Sequence, residues 1–129
     1  LMGAVGSGQA TKLCNQTIVT ASVAAIAEAV ALASDNGVDA SRLHEALAGG
    51  WADSVLLQVF VPRMTASEKV LSATVGPMLK DLNTIAELAR THNTAMPVSA
   101  ATQQVFRHGV TQGLEHDDVS SIIQVYRKS

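Results

Sequence analysis

Lys12, Asn15 and Gln16 are the residues whose types and spacing could do chemistry. In a helix they stand at i, i+3 and i+4, so one face carries all three. An ammonium beside two neutral carboxamides can donate a proton and grip a small polar anion. Ahead of them lies a glycine-rich run, Gly3-Ala-Val-Gly6-Ser-Gly8-Gln-Ala-Thr-Lys12. Glycine permits a tight backbone path and the close approach of a ligand. The run reads as a turn that gives way to helix at about Gln9. That would put Lys12 near the helix start, against a dipole that prefers anions there.

The glycines do not spell a phosphate loop. Gln9 follows Gly8 where that loop needs Lys and then Ser or Thr, and the lysine stands four residues after Gly8 instead of one. A dinucleotide fingerprint threaded from Gly6 and Gly8 has Thr11 at its third glycine, and no buried strand fits ahead of it.

Other residues are weaker candidates. Trp51, the single tryptophan, follows Gly49 and Gly50 and suits either a substrate pocket wall or a plug at a helix joint. Lys80 and Asp81 are neighbours on a helix, so they point about 100° apart and cannot both face one ligand squarely. Asp81 reads as structural. Asp117, Asp118 and Ser120 suit the capping of a helix start, where acids and hydroxyls meet free N–H groups, with cofactor contact as the second reading. His44, His92, His108 and His116 show no paired metal-ligand spacing, so no metal is expected. Cys14 has no histidine partner nearby and reads as a buried helix thiol.

The elements that must position these residues are helical. From about Gln9 to Asn36 the chain reads as one helix roughly 40 Å long, with Val19, Val23, Ile26 and Val30 on its apolar stripe and Gly37 as its stop. Asp39 starts a second helix that Gly49 and Gly50 end. A third runs from about Ala52 to Met64, disturbed by Pro62. Residues 65–76 read as an irregular connection. Pro77 opens a helix that reaches about His92, closed by Asn93 or Thr94. Pro97 opens the next, ended by Gly109 or Gly113, and a last one spans about Asp117 to Arg127. No stretch alternates at period two. The class is all-α, about six helices in one domain.

Composition agrees with a globular chain of that kind. Of 129 residues, 47% are hydrophobic, 16% charged and 3% aromatic, so aliphatic side chains must build the core. A net charge of -2 argues against a nucleic-acid surface. Glu28 and Asp35 interrupt the best membrane-spanning candidate, which speaks against a membrane partner. One cysteine cannot form an internal disulfide, which fits a reducing cytoplasm. A helix so long within a small domain leaves length to cover, so a homo-oligomer, dimer or larger, is expected.

The pattern G-x-G-x-x-x-K-x-x-N-Q ending at Lys12, Asn15 and Gln16 resembles the β-hydroxyacid dehydrogenases, which include 3-hydroxyisobutyrate dehydrogenase and tartronate semialdehyde reductase. Gly49-Gly50-Trp51-Ala-Asp53-Ser54, Lys80-Asp81-Leu82 and Asp117-Asp118-Val-Ser120 resemble later landmarks of that family, in the same order. The resemblance covers the family's C-terminal helical domain, of the type also found in 6-phosphogluconate dehydrogenase. It implies that a nucleotide-binding domain belongs ahead of this one and is absent from this chain. It further implies Lys12 as catalytic acid/base, Asn15 and Gln16 beside a small hydroxyacid, to which Trp51 would add a pocket wall, and Lys80 beside a cofactor, NAD or NADP. One departure stands out. Residues 69–79 hold no aromatic where the family usually has one, which leaves the substrate open.

Overall fold

A computed structural model describes residues 5–66 and 70–128, with side chains from Gly8 onward. Gly3 and the stretch 67–69 of the expected irregular connection lie outside the described residues. Six α-helices stand among the described residues: α1 (Val5–Asp35), α2 (Leu43–Ala46), α3 (Val55–Thr65), α4 (Val75–His92), α5 (Pro97–Thr111) and α6 (Ile123–Tyr126). Short 3-10 turns, Ala40–Arg42 and Val119–Ile122, lead into α2 and α6. No strand is formed among the described residues, only one isolated antiparallel bridge between Thr74 and Asp118.

The architecture follows from α1. Its stripe Val23, Ile26, Ala27 and Val30 is buried, and α3, α4, α5 and α6 all pack against the helix. Small residues along it (Ala24, Ala27, Ala33) let those neighbours approach closely. Phe106, Met64, Leu82 and Ile122 are the largest fully buried side chains, each contributing about 1.5–3 kcal/mol by its removal from water. Thirty-one residues make α1 roughly 46 Å long. Within Gly8–Asp35 an 18-residue window has a mean hydropathy of 1.8, enough by length and composition alone to cross a membrane, so Glu28 and Asp35 do not interrupt it as expected. Here it serves as the central helix of the bundle.

Several boundaries differ from expectation for local reasons. The first helix takes in Gly6 and Gly8 rather than starting after them. Gly37, at φ +75°, closes it, with Val38 N–H donating to the Ala33 carbonyl at 2.9 Å. The third helix starts at Val55, because Ser54 caps it by accepting the Leu57 N–H at 2.9 Å. It runs on past Pro62 to Thr65. The fourth begins at Val75, two residues before Pro77, and Asn93 ends it in the left-handed region at φ 54°. Gly109 stays inside α5, where a Cβ would stand 3.0 Å from Ile122 Cδ1. Its role is close packing, not termination.

The C-terminal segment is joined by backbone to the start of α4. Val75 N–H donates to the Asp117 carbonyl, Gly76 N–H to that of Glu115 and Val119 N–H to that of Ala73. Tyr126 Oη donates to Glu28 and Lys128 pairs with Asp35, so this segment lies along the C-terminal half of α1. The N-terminal half of α1 is left to meet α4.

Candidate functional site

The face predicted from spacing forms where α1 passes α4. Leu13 and Thr20 on α1, and Leu82 and Ile85 on α4, are buried. Between those levels the contact is polar. Gln16, half-buried, donates from Nε2 to Asp81 Oδ2 at 2.9 Å, and Asn15 Nδ2 donates to Gln16 Oε1 at 3.2 Å. Asp81 is therefore more than a helix-forming acid. It holds a residue 65 positions away in the chain.

Lys12 is exposed one turn above Gln16 on the same face, and it makes no hydrogen bond or ion pair among the described residues. It lies seven residues beyond Val5, where the helix begins. The dipole argument for its position therefore lapses, since that effect fades within the first turn. What remains is an unpaired cation beside two amides. Lys80 is exposed on α4, turned about 100° from Asp81, and is likewise without a partner among the described residues. Gly8 has nothing within 4 Å of where a Cβ would stand, so packing within this chain gives no reason for that glycine. Cys14 is exposed, contrary to the buried thiol expected, because the buried face of α1 here runs through Leu13.

Trp51 stands apart, on the loop between α2 and α3, and is fully exposed. It plugs no helix joint. The loop itself is well held: Asp53 accepts from Gly49 N–H at 2.8 Å, Gln58 Nε2 at 2.8 Å and Ser54 N–H at 2.9 Å. The Gly49 N–H, then Gln58, keep that carboxyl below the usual aspartate range.

Asp118 caps the Val119–Ile122 turn, as its setting beside Ser120 suggested, and does more. It is 6% exposed and accepts from the N–H and Oγ of both Ser120 and Ser72, at 2.6 to 3.0 Å. Arg63 approaches its Oδ1 at 3.7 Å. Burial, the largest single influence, favours the neutral acid. The bonds from Ser120 and then Ser72 together outweigh it and hold the carboxyl below its ordinary value.

A cavity of about 790 Å³ opens between the end of α3 and the C-terminal segment, lined among others by Arg63, Leu71, His116, Ser120 and Arg127. None of Lys12, Asn15, Gln16, Trp51 or Lys80 reaches it. Its volume alone gives it no chemistry. The unpaired cation and the amides of the α1–α4 face mark the better site. Among the described residues no three His, Cys, Asp or Glu side chains gather as metal ligands would.

Residues 6–126 match the family model described as NAD-binding of NADP-dependent 3-hydroxyisobutyrate dehydrogenase. The chain belongs to the β-hydroxyacid dehydrogenase family. Among curated relatives, it is 33% identical over 124 residues to the 2-hydroxy-3-oxopropionate reductase of Escherichia coli, covering 96% of this chain and 42% of that one. It is 30% identical over 126 residues to the L-threonate dehydrogenase of Cupriavidus necator, covering 98% and 42%. The chain thus spans less than half the length of these dehydrogenase-family relatives. The fold agrees. A 3-hydroxyisobutyrate dehydrogenase of Salmonella typhimurium superposes with a TM-score of 0.88 at 22% identity, over 93% of this chain and 42% of that one. The Mycobacterium tuberculosis 3-hydroxyisobutyrate dehydrogenase with L-serine gives 0.87 at 23%, over 98% and 46%. The all-α class expected from the helix pattern and the family-type fold implied by the resemblance are the ones found.

Proposed function

We propose that this chain is the helical, substrate-side part of an NAD(P)-dependent oxidoreductase that moves hydride between a nicotinamide and a small β-hydroxyacid of the 3-hydroxyisobutyrate type. The observation that carries the reading is Lys12, presented unpaired beside two amides in a chain matching the family across residues 6–126. Oxidation of the alcohol releases a hydride from carbon and a proton from oxygen. A bound nicotinamide supplies the hydride acceptor. Lys12 Nζ takes the hydroxyl proton, and its ammonium returns one when the carbonyl is reduced. The same ammonium stabilises negative charge growing on the substrate oxygen.

Asn15 meets the hydroxyl or carboxylate from the same face. Gln16 stands behind it, with its own amide already engaged by Asp81. Trp51, wholly exposed in this chain, provides apolar surface to a pocket completed by another wall. Lys80 fits a polar group of the cofactor, because its exposed ammonium has no carboxylate partner among the described residues. The rest of the cofactor falls to a nucleotide-binding domain in the same protein, so this chain alone is expected to bind NADH or NADPH negligibly. A reducing, cytoplasmic setting suits the free thiol of Cys14.

A second element of the reading is self-association. Ile18 and Leu32 are both 67% exposed on α1, and a second copy of the chain would cover them. The alternative, a helical dimerisation module without chemistry, rests on that face alone and leaves Lys12 unexplained. The deciding experiment is steady-state oxidation of a panel of β-hydroxyacids by the whole protein containing this chain, with NAD and NADP in turn. Turnover with one of them is expected. No turnover on any hydroxyacid with either cofactor would leave the dimerisation reading.

A further inference from the structure

The α1–α4 contact contains a carboxylate for which the reaction above has no direct use. We propose that Asp81 is a positioning residue that acts through Gln16 on Asn15, setting which atom of the Asn15 amide faces the substrate; this rests on the assignment of the Lys12 face as the reactive one.

The argument is one of hydrogen-bond polarity. A carboxylate only accepts, whereas a primary amide has a donating end and an accepting end. Asp81 Oδ2 lies 2.9 Å from Gln16 Nε2, so the charge obliges Gln16 to turn its NH₂ toward α4. Its carbonyl oxygen must then point the other way, where it accepts from Asn15 Nδ2 at 3.2 Å. Asn15 in turn has turned its nitrogen toward Gln16, using one of its two N–H groups, and keeps Oδ1 unengaged among the described residues, on an exposed side chain beside Lys12. An acceptor oxygen next to an ammonium suits an alcohol: the oxygen takes up a substrate hydroxyl or N–H while the lysine handles the proton. Without the charge at 81, both amides could flip, and the outward group would alternate between donor and acceptor.

The same link sets helix register. Gln16 is one turn from Lys12 on α1, and Asp81 adjoins Lys80 on α4, so one bond ties together the two helices that carry the cations. Thr20 Oγ1 donates to the Gln16 carbonyl at 2.7 Å, steadying the turn on which the relay is built.

Asp81→Asn is the discriminating change, because it keeps size and shape and removes only the fixed polarity. In the whole protein it is expected to lower kcat/KM for the hydroxyacid about 10-fold, as a misoriented substrate group would, with no change in melting temperature and none in cofactor affinity. The double variant with Gln16→Met should be no worse than Gln16→Met by itself, since both changes cut one relay. Wild-type kcat and KM in Asp81→Asn, or effects of the two changes that add in full, would overturn the proposal.

A second readout needs no turnover. In the 129-residue chain, Asp81→Asn should shift or broaden the side-chain amide resonances of Asn15, to which Asp81 makes no hydrogen bond. Unchanged Asn15 resonances would also overturn it. If the whole protein oxidises no hydroxyacid, the reading of Lys12 fails, and the resonances still decide whether the relay exists.

Discussion

Two polar regions of this molecule face opposite ways. At Asp118 the charge is answered from within: a buried carboxylate receives four hydrogen bonds, and Arg63 closes it off. Along the N-terminal half of α1 the polar groups are half answered. Asp81 engages Gln16, which engages Asn15, and the series then opens onto an exposed Asn15, with Lys12 and Lys80 unpaired among the described residues. Buried polar groups must be satisfied internally or they destabilise the fold. Exposed groups carry no such obligation, so an ordered cluster that remains unpaired points to a role in binding or chemistry. Ser120 and Asn15 are both ordinary polar residues in the sequence. Only their surroundings separate a latch from a site.

The strongest test of that contrast is at Lys12. In the whole protein, Lys12→Ala should lower turnover by roughly 100-fold or more while circular dichroism reports an unchanged fold. Lys12→Arg should fail nearly as badly, because a guanidinium keeps the charge but does not give up its proton. An arginine variant running at near wild-type rate would make Lys12 an anion anchor and turn attention to Lys80.

Asp118→Ala should do the reverse, destabilising without touching the face of Lys12. Two backbone N–H groups, two hydroxyls and Arg63 would lose their acceptor, for a loss of about 2–3 kcal/mol. Urea denaturation measures it. A loss below about 0.5 kcal/mol, the usual range for surface changes, would remove the latch from the account.

Acid sharpens the same point. The folded Asp118 carboxyl sits below its ordinary value, so the unfolded chain binds the proton first as pH falls. Its contribution is fully present above the unfolded value of about 3.9 and is lost as pH drops through the folded one. Stability of the wild type should therefore decline more steeply below about pH 4 than that of Asp118→Asn, whose residue 118 does not titrate. Parallel curves would show that the latch does not depend on the charge.

The smallest effect is expected at Trp51. Its ring is wholly exposed, so Trp51→Ala should change the stability of this chain by less than about 0.5 kcal/mol. In the whole protein the same change should raise KM for the hydroxyacid if the ring lines the pocket. A large drop in melting temperature at concentrations where the chain self-associates would assign Trp51 to a subunit contact instead.

Much of this was decided within a few residues of chain. The buried stripe Val23, Ile26 and Val30, the stop at Gly37 and the start at Pro97 all follow from repeat and capping chemistry, which act over one or two turns. The common face of Lys12, Asn15 and Gln16 was legible for the same reason, as i, i+3 and i+4 on one helix. The exposure of Cys14 and the helical Gly6 and Gly8 were not, because the start of α1 and the face it buries depend on what packs against it. Least legible were the long pairings. Gln16 meets Asp81 across 65 residues, and Ser72 meets Asp118 across 46. The sequence by itself determined the helices and which residues share a face. The tertiary structure alone chose the partners, because a hydrogen bond between distant residues exists only once the register of two packed helices brings donor and acceptor within about 3 Å.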